Sequence, residues 1–161
     1  MEYRELGSTG LKVSRLCFGG LTVGPLQKNL STEEGGEVIA EAFRLGVNFI
    51  DTADLYDTYR HIKRAMDITG IKPVISSKSY AYDREGAKRT VDKALTELGL
   101  DHIDLWLMHE QESEHTIRGH REALDYYLEL KDQGVIGAVG LSTHHIAAVR
   151  AALEVPELEV I

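Results

Sequence analysis

The chain has 161 residues, of which 43% are hydrophobic and 27% charged, and a formal charge of −8 at pH 7. This is the composition of an ordinary globular protein, and we expect one domain over residues 1–161. The negative charge disfavours non-specific binding to nucleic acid or to an anionic membrane, since both carry the same sign of charge. No apolar run is long enough to span a bilayer, Met1–Gly10 does not resemble a secretory signal, and a cytoplasmic location is expected. The single cysteine, Cys17, excludes an internal disulfide.

The predicted elements begin with a short β-hairpin at Tyr3–Lys12, which has Ser8-Thr9-Gly10 at its centre. Apolar runs then alternate with amphipathic stretches along the rest of the chain. Most of the runs are almost continuously apolar, as expected for parallel strands that are buried on both faces. The predicted strands are Arg15–Gly19, Val47–Asp51, Pro73–Ser77, Ile103–Met108 and Val135–Leu141, with a further fragment at Leu158–Ile161.

The stretches between the strands have helical periodicity and helix-end signals. Ser31 and Thr32, followed by two glutamates, suit the start of the first helix. A glycine followed at once by an apolar residue is typical of helix ends, and four predicted helices end at Gly46, Gly70, Gly99 and Gly134. The predicted buried faces are Val38, Ile39, Ala42 and Phe43 in the first helix, Ala87, Val91, Ala94, Leu95 and Leu98 in the third, and Ile117, Leu124, Tyr127 and Leu128 in the fourth.

Repeated strand–helix units of this kind predict parallel βαβ crossovers and an α/β fold. Open sheets and closed barrels are both built from such units, so the alternation alone leaves both architectures open. No Gly-x-Gly-x-x-Gly turn follows the first strand, where the chain reads Phe18-Gly19-Gly20-Leu21-Thr22, and no Gly-Lys-Ser/Thr phosphate loop is present. The nucleotide-binding open sheets are therefore disfavoured. A complete (β/α)₈ barrel typically needs about 250 residues, so only part of one is expected here.

Reactive side chains fall at the ends of consecutive predicted strands. Asp51 closes the second strand, Tyr56 follows five positions later, and Lys78 and His109 lie just beyond the third and fourth strands. Strand ends of this kind meet at the rim where barrel enzymes do their chemistry. A buried Lys78 needs a charge partner, which Asp51 can supply, and a phenol beside an ammonium becomes a better proton donor. Taken singly, the four could be a helix cap, a loop aromatic, a solvated lysine and a core histidine, and only their grouping favours a site.

Four segments carry a resemblance to the aldo-keto reductase family. Gly46–Tyr56 resembles the family signature, Val74–Lys78 and Asp101–His109 are similar to its third and fourth strands, and Tyr3–Ser14 is similar to its N-terminal hairpin. The resemblance covers essentially the whole chain. It implies a partial (β/α)₈ TIM-type barrel with about five to six parallel strands after a short hairpin.

The same resemblance implies the chemistry. Tyr56 would be the general acid on the carbonyl oxygen of a small aldehyde or ketone, Lys78 held by Asp51 would make it more acidic, and His109 would orient the carbonyl. NADPH would supply the hydride.

The resemblance also implies cofactor contacts for Asp51 and for Ser142, which matches a serine that binds the nicotinamide carboxamide. Thr143 stands next to it, where the family commonly has asparagine.

In the family, strands six to eight hold most of the cofactor, whereas this chain reaches only Leu158–Ile161 at the sixth. We therefore expect an exposed inner face, completed in a homo-oligomer or by a complementary C-terminal half. The alternative is a catalytically silent, truncated half-barrel that retains the four residues and acts only as a folding or interaction module.

Three other features are not assigned to a site. Cys17 lies in an apolar strand and is expected in the core. His109-Glu110-Gln111-Glu112-Ser113 begins like a zinc-protease motif but has serine at the position of the second histidine. No metal is expected, because the spacing of the remaining candidate ligands fits no standard set and they are interpreted as surface or rim histidines: His115, His120, His144 and His145.

Overall fold

A computed structural model describes residues 1–161 and contains a two-stranded and a five-stranded sheet. The predicted hairpin is confirmed: β1 (Tyr3–Glu5) and β2 (Lys12–Ser14) pair in antiparallel fashion. The five parallel strands are β3 (Phe18–Gly19), β4 (Phe49–Asp51), β5 (Val74–Ser79), β6 (Ile103–Met108) and β7 (Ile136–Leu141). They lie side by side in chain order, and Val160 adds a parallel bridge to Gly140 beyond β7.

Six helices connect and flank these strands: α1 (Thr32–Arg44), α2 (Tyr59–Thr69), α3 (Arg84–Leu98), α4 (Glu114–Gly119), α5 (Arg121–Asp132) and α6 (Ile146–Ala152). The strand–helix alternation confirms the predicted α/β fold. The parallel strands lie side by side in chain order with the helices on their outer face, which is the arrangement of part of a (β/α) barrel. None of the helices is both long enough and apolar enough to cross a membrane.

The first helix is capped as its sequence predicts. The Ser31 hydroxyl accepts a hydrogen bond from the Glu34 amide, and the Glu34 carboxylate accepts one from the Ser31 amide, both at 3.2 Å. The predicted glycine ends are confirmed as well, because all four have φ between +68° and +90°. The left-handed conformation is the one in which glycine has no steric penalty. Local signals therefore set where these helices begin and end.

The predicted buried face of α1 is partly wrong, because Val38 is 47% exposed. The face is set instead by Gly35 and Gly36, where α2 approaches closely. A Cβ atom at Gly35 would lie 2.5 Å from the His61 ring, and one at Gly36 would lie 2.5 Å from the Arg64 side chain. The contact with α2 therefore turns Val38 towards solvent.

The predicted fourth helix is two helices, since α4 ends and α5 begins at His120. The His120 amide donates to the carbonyls of Thr116 and Ile117, and the His120 ring lies 2.7 Å from the Thr116 oxygen. The apolar spacing continues across the break because Ile117 and Leu124 belong to the same buried cluster.

The two faces of the sheet have different environments. The outer face packs against the helices in a cluster that includes Ile50, Ile75, Trp106 and Val139. The inner face lines an open groove of 530 Å³, whose floor includes Phe49, Asp51, Ser76, Leu105 and Leu107. Because the strands are parallel, their carboxyl ends meet at one rim of this groove.

Candidate active site

Asp51 and Lys78 form an ion pair on neighbouring strands. The Lys78 ammonium donates to the Asp51 carboxylate at 2.6 Å and to the Thr52 carbonyl at 3.0 Å, and Lys78 is only 5% exposed. The second Asp51 oxygen accepts from the Ser76 hydroxyl at 3.2 Å. The position predicted for Lys78, beyond its strand, is wrong because β5 continues to Ser79. The pairing supplies the charge compensation that a buried ammonium needs.

Tyr56 closes a 3₁₀ turn, Asp54–Tyr56, that begins three residues after the end of β4. The Lys78 nitrogen lies 4.9 Å from the centre of the Tyr56 ring. The turn is fixed on its outer side, where the Lys93 ammonium donates to the Asp54 carboxylate at 2.9 Å. Tyr56 is half-buried at this rim.

His109 directly follows β6 and is 3% exposed. Its imidazole meets the Tyr56 ring edge to face, with the ring centres 5.7 Å apart. Desolvation, reinforced by the positive charge of Lys78, lowers the pKa of His109 to about 4. Its Nδ1 atom is buried and has no hydrogen-bond partner. The imidazole is therefore neutral at pH 7 and makes no hydrogen bond through Nδ1.

Ser142 and Thr143 lie beyond β7 and line the groove together with Asp51. The Ser142 hydroxyl oxygen accepts from the Glu110 amide at 2.9 Å, and its hydrogen has no acceptor in the protein. The Thr143 hydroxyl is engaged within its own turn, because it accepts from the His145 amide at 2.8 Å and donates to the His145 carbonyl at 3.3 Å. Of the two hydroxyls, only that of Ser142 has a hydrogen free for a ligand.

Two further residues at this rim have no counterpart among the sequence predictions. The Tyr80 ring stacks on the His109 imidazole, with 4.2 Å between ring centres and 22° between planes. The Tyr80 hydroxyl donates to the Glu110 carboxylate. In the sequence, the only indication of this pair is an aromatic residue just after a strand and a carboxylate next to His109. Their spacing along the chain does not reveal that the two side chains are in contact.

Cys17 corrects another expectation, because it is exposed and lines the groove instead of lying in the core. The surrounding protein and the nearby Asp51 carboxylate raise the pKa of its thiol. The predicted strand Arg15–Gly19 is shorter than expected: β3 contains only Phe18–Gly19, and Cys17 lies just before it, which explains the difference.

Of the four histidines interpreted as surface or rim residues, His144 lies beside the site, with its Nε2 atom 3.6 Å from the Glu110 carboxylate. Three of them, His115, His144 and His145, are exposed, and His120 is half-buried. No group of three or more histidine, cysteine, aspartate or glutamate residues is arranged to hold a metal ion.

The family model described as "Aldo/keto reductase family" matches residues 15–161. An uncharacterized oxidoreductase of Bacillus subtilis, YqkF, is 33% identical over 89% of this chain and 49% of its own length. The L-galactose dehydrogenase of Arabidopsis thaliana is 27% identical over 88% of this chain and 48% of its own length. A crystal structure of a thermostable aldo-keto reductase, Tm1743, has a TM-score of 0.83 and 26% identity, and the match covers all of this chain and 61% of that one.

The chain thus spans about half the length of the curated relatives it matches. The structural match extends over the parallel sheet, its helices and the rim that holds Asp51, Tyr56, Lys78 and His109. The family model covers nearly the whole chain. The oxidoreductase YqkF and the aldo-keto reductase structure Tm1743 also match over most of the chain. The chain therefore belongs to the aldo-keto reductase family.

Proposed function

We propose that this chain provides the acid–base site of an NADPH-dependent oxidoreductase that reduces a small aldehyde or ketone to an alcohol. One observation carries the proposal: an ion-paired lysine, a phenol and a neutral imidazole come together at the rim of one groove. Carbonyl reduction needs a proton donor and an oriented oxygen, and these are the groups that supply them.

Tyr56 is the proposed general acid. Its ring lies next to the Lys78 ammonium and the His109 imidazole, where the hydroxyl can donate to a carbonyl oxygen. When the proton leaves, the negative charge that remains on the phenolate is stabilised by the Lys78 ammonium, 4.9 Å from the ring centre. Asp51 keeps that ammonium in place. The same step in reverse removes a proton from an alcohol, which is the direction named for the dehydrogenase relative.

His109 is the proposed orienting residue. A buried, unpaired N–H is less tolerable than an unpaired acceptor, so the lone pair is favoured at Nδ1 and the proton at Nε2. A neutral imidazole of this tautomer donates one hydrogen bond to the carbonyl oxygen and does not compete with Tyr56 as the acid. The lowered pKa of His109, about 4, keeps this form over the neutral pH range.

A bound nicotinamide supplies the hydride to the carbonyl carbon. The groove residues fit such a ring in part: Phe49, Leu105 and Leu107 provide an apolar floor, and the Ser142 hydroxyl has a hydrogen to donate to the carboxamide oxygen. Thr143 is a weaker candidate because its hydroxyl is already engaged. The groove lining includes no lysine or arginine, so support for NADPH over NADH comes from the family resemblance alone.

The groove is open on one side, and we propose that a second copy of the chain or a complementary C-terminal half closes it. Its apolar lining, which includes the half-buried Phe49 and the exposed Ile161, favours a covering segment. The same surface supports the alternative of a catalytically silent half-barrel, since a partner would cover it even without chemistry.

The test is a titration of the purified chain with NADPH and, in parallel, NADH, with the molar mass in solution recorded alongside. A panel of small aldehydes and ketones follows, with Tyr56→Phe as the variant and Tyr82→Phe, an exposed tyrosine, as the control. We expect Tyr56→Phe to lower the reduction rate by about 10²-fold or more, because the general acid is lost. Equal rates for variant and parent would refute the role of Tyr56, and no binding at millimolar cofactor would favour the silent half-barrel.

A further inference from the structure

We propose that Tyr80 and Glu110 are positioning residues for His109: the Tyr80 ring fixes the plane of the imidazole, and Glu110 fixes the Tyr80 ring. The catalytic part of this inference rests on the proposed function, in which His109 orients the carbonyl. The structural part is that the Tyr80 ring determines the plane and the tautomer of the His109 imidazole. It does not depend on the proposed function and has its own test.

His109 needs such a device because its ring lacks the usual hydrogen bond. In most functional histidines, one ring nitrogen bonds a neighbouring group and thereby sets the tautomer and the ring plane. Here Nδ1 is buried without a partner. The backbone of His109 is fixed, since its amide donates to the Ser79 carbonyl at 2.9 Å and its carbonyl accepts from the Gln111 side chain at 3.1 Å. These bonds hold the main chain but leave the ring free to rotate.

Two aromatic rings contact the imidazole, and only one lies parallel to it. Tyr56 meets it at 79° between planes, whereas Tyr80 lies at 22° with the ring centres 4.2 Å apart. Rotation of the imidazole out of its plane would remove the stacking contact and bring the ring edge against Tyr80. The Tyr80 face therefore defines the plane in which Nε2 points towards a carbonyl oxygen.

Tyr80 cannot hold this position by burial, because it is 43% exposed. Its hydroxyl is held instead by the Glu110 carboxylate, an acceptor that carries charge and therefore binds strongly. Desolvation and this hydrogen bond raise the pKa of Tyr80, and the same bond lowers the pKa of Glu110. The pair therefore stays as phenol and carboxylate across the neutral range.

Glu110 is itself held in an uncommon conformation. Its φ of +49° lies in the left-handed region, which a glutamate rarely adopts. The turn is fixed by Ser142, just beyond β7: the Glu110 amide donates to the Ser142 hydroxyl at 2.9 Å, and the Gln111 amide donates to the Ser142 carbonyl at 2.8 Å. Backbone strain of this kind persists where the surroundings enforce it, and here it turns the carboxylate towards Tyr80.

The charges near His109 determine which variants are informative. Lys78, Glu110, Asp51 and His144 all act on the imidazole, so removal of Glu110 changes both a charge and a contact. Tyr80→Phe removes the hydrogen bond and keeps the ring and every charge. Tyr80→Leu removes the stacking as well. Tyr82→Leu is the matched control, since Tyr82 is an exposed tyrosine two positions away.

The experiment is an NMR measurement of the His109 ring nitrogens in histidine-labelled protein, with His109→Gln used to assign the signals and circular dichroism used to check folding. We expect one neutral tautomer, protonated at Nε2, in the parent and in Tyr82→Leu from pH 6 to pH 8. Tyr80→Leu should give a mixture of tautomers with broadened signals, and Tyr80→Phe an intermediate change. A folded Tyr80→Leu variant with the parent's His109 signals would overturn the proposal.

Kinetics test the catalytic part. In Tyr80→Leu, kcat for carbonyl reduction should fall about tenfold with the KM for cofactor unchanged, because misorientation of a reacting group lowers the rate of the chemical step. A full kcat in a variant with altered His109 signals would overturn the catalytic part. A parent chain that reduces no carbonyl would count against the proposed function, while the NMR result would still decide whether Tyr80 positions His109.

Discussion

The Lys78 ammonium lies 2.6 Å from the Asp51 carboxylate, yet the two side chains differ in exposure, at 6% for Lys78 and 35% for Asp51. Lys78 therefore depends on its partner more than Asp51 does. Without Asp51, the ammonium keeps only the Thr52 carbonyl as an acceptor. Without Lys78, the carboxylate keeps the Ser76 hydroxyl and its contact with water.

This difference in exposure predicts that loss of Asp51 destabilises the protein more than loss of Lys78. Asp51→Asn should lower the free energy of unfolding by about 1–3 kcal/mol, because it leaves a buried charge with reduced compensation. Lys78→Met should change it by about 1 kcal/mol or less, since it replaces the buried ammonium with an apolar chain of similar length. Urea unfolding of the two variants and the parent measures both values. A larger loss of unfolding free energy in Lys78→Met than in Asp51→Asn would show that Lys78 does not depend on Asp51 in this way.

The lowered pKa of His109 predicts that the free energy of unfolding depends on pH. Its pKa is about 4 in the folded chain against an ordinary value of 6.5, so between these pH values the unfolded chain binds more protons. The neutral imidazole's contribution is fully present above pH 6.5, declines as the pH falls towards 4, and amounts to at most about 3 kcal/mol.

The measurement is unfolding by urea at intervals from pH 4 to pH 7.5, on the parent and on His109→Gln. The variant should show a smaller loss of stability on acidification than the parent. Identical pH dependence in the two proteins would show that His109 is not the group that titrates.

Much of the fold follows from local signals in the sequence. Gly46 and Gly99 end their helices through a local preference, because the left-handed conformation is open to glycine. The alternation of apolar runs with segments of helical periodicity predicts the parallel sheet. The break at His120 was missed because the apolar spacing from Ile117 to Leu124 continues across it.

The sequence predicted only those residues of the site that lie at or shortly after the end of a strand. Asp51, Tyr56, Lys78 and His109 meet because parallel strands bring their carboxyl ends together. The Tyr80–Glu110 contact joins two loops, and loop contacts have no periodicity from which to predict them. Cys17 was misplaced because its strand begins only at Phe18, so the cysteine lies in the preceding segment and lines the groove.

Ser142 and Thr143 should differ in their effect on cofactor binding. Ser142→Ala removes a hydroxyl with a free hydrogen, and we expect the Kd for NADPH to rise about three- to tenfold, which is the usual effect of one lost hydrogen bond. Thr143→Ala removes a hydroxyl that serves only its own turn, so the Kd should change by less than about twofold. Fluorescence titration of both variants measures the difference. A larger effect for Thr143→Ala would shift the proposed contact to Thr143.

Gly24 and Gly19 offer a final test, since one is crowded against the Tyr56 turn and the other is not. A Cβ atom at Gly24 would lie 2.6 Å from both the Tyr56 carbonyl oxygen and the Thr58 side chain, whereas one at Gly19 would meet nothing within 4 Å. Neither glycine has a positive φ, so the cost of alanine at either position is steric only.

Gly24→Ala should therefore lower the free energy of unfolding by about 1–3 kcal/mol and displace Tyr56, because the contact is with backbone that must move. Gly19→Ala should change it by about 0.5 kcal/mol or less, since nothing opposes the added methyl group. Urea unfolding gives the two stabilities, and the Tyr56 ring signals in NMR spectra report its displacement. If Gly24→Ala were as stable as Gly19→Ala and left the Tyr56 signals unchanged, the close approach of Gly24 would not be what positions the Tyr56 turn.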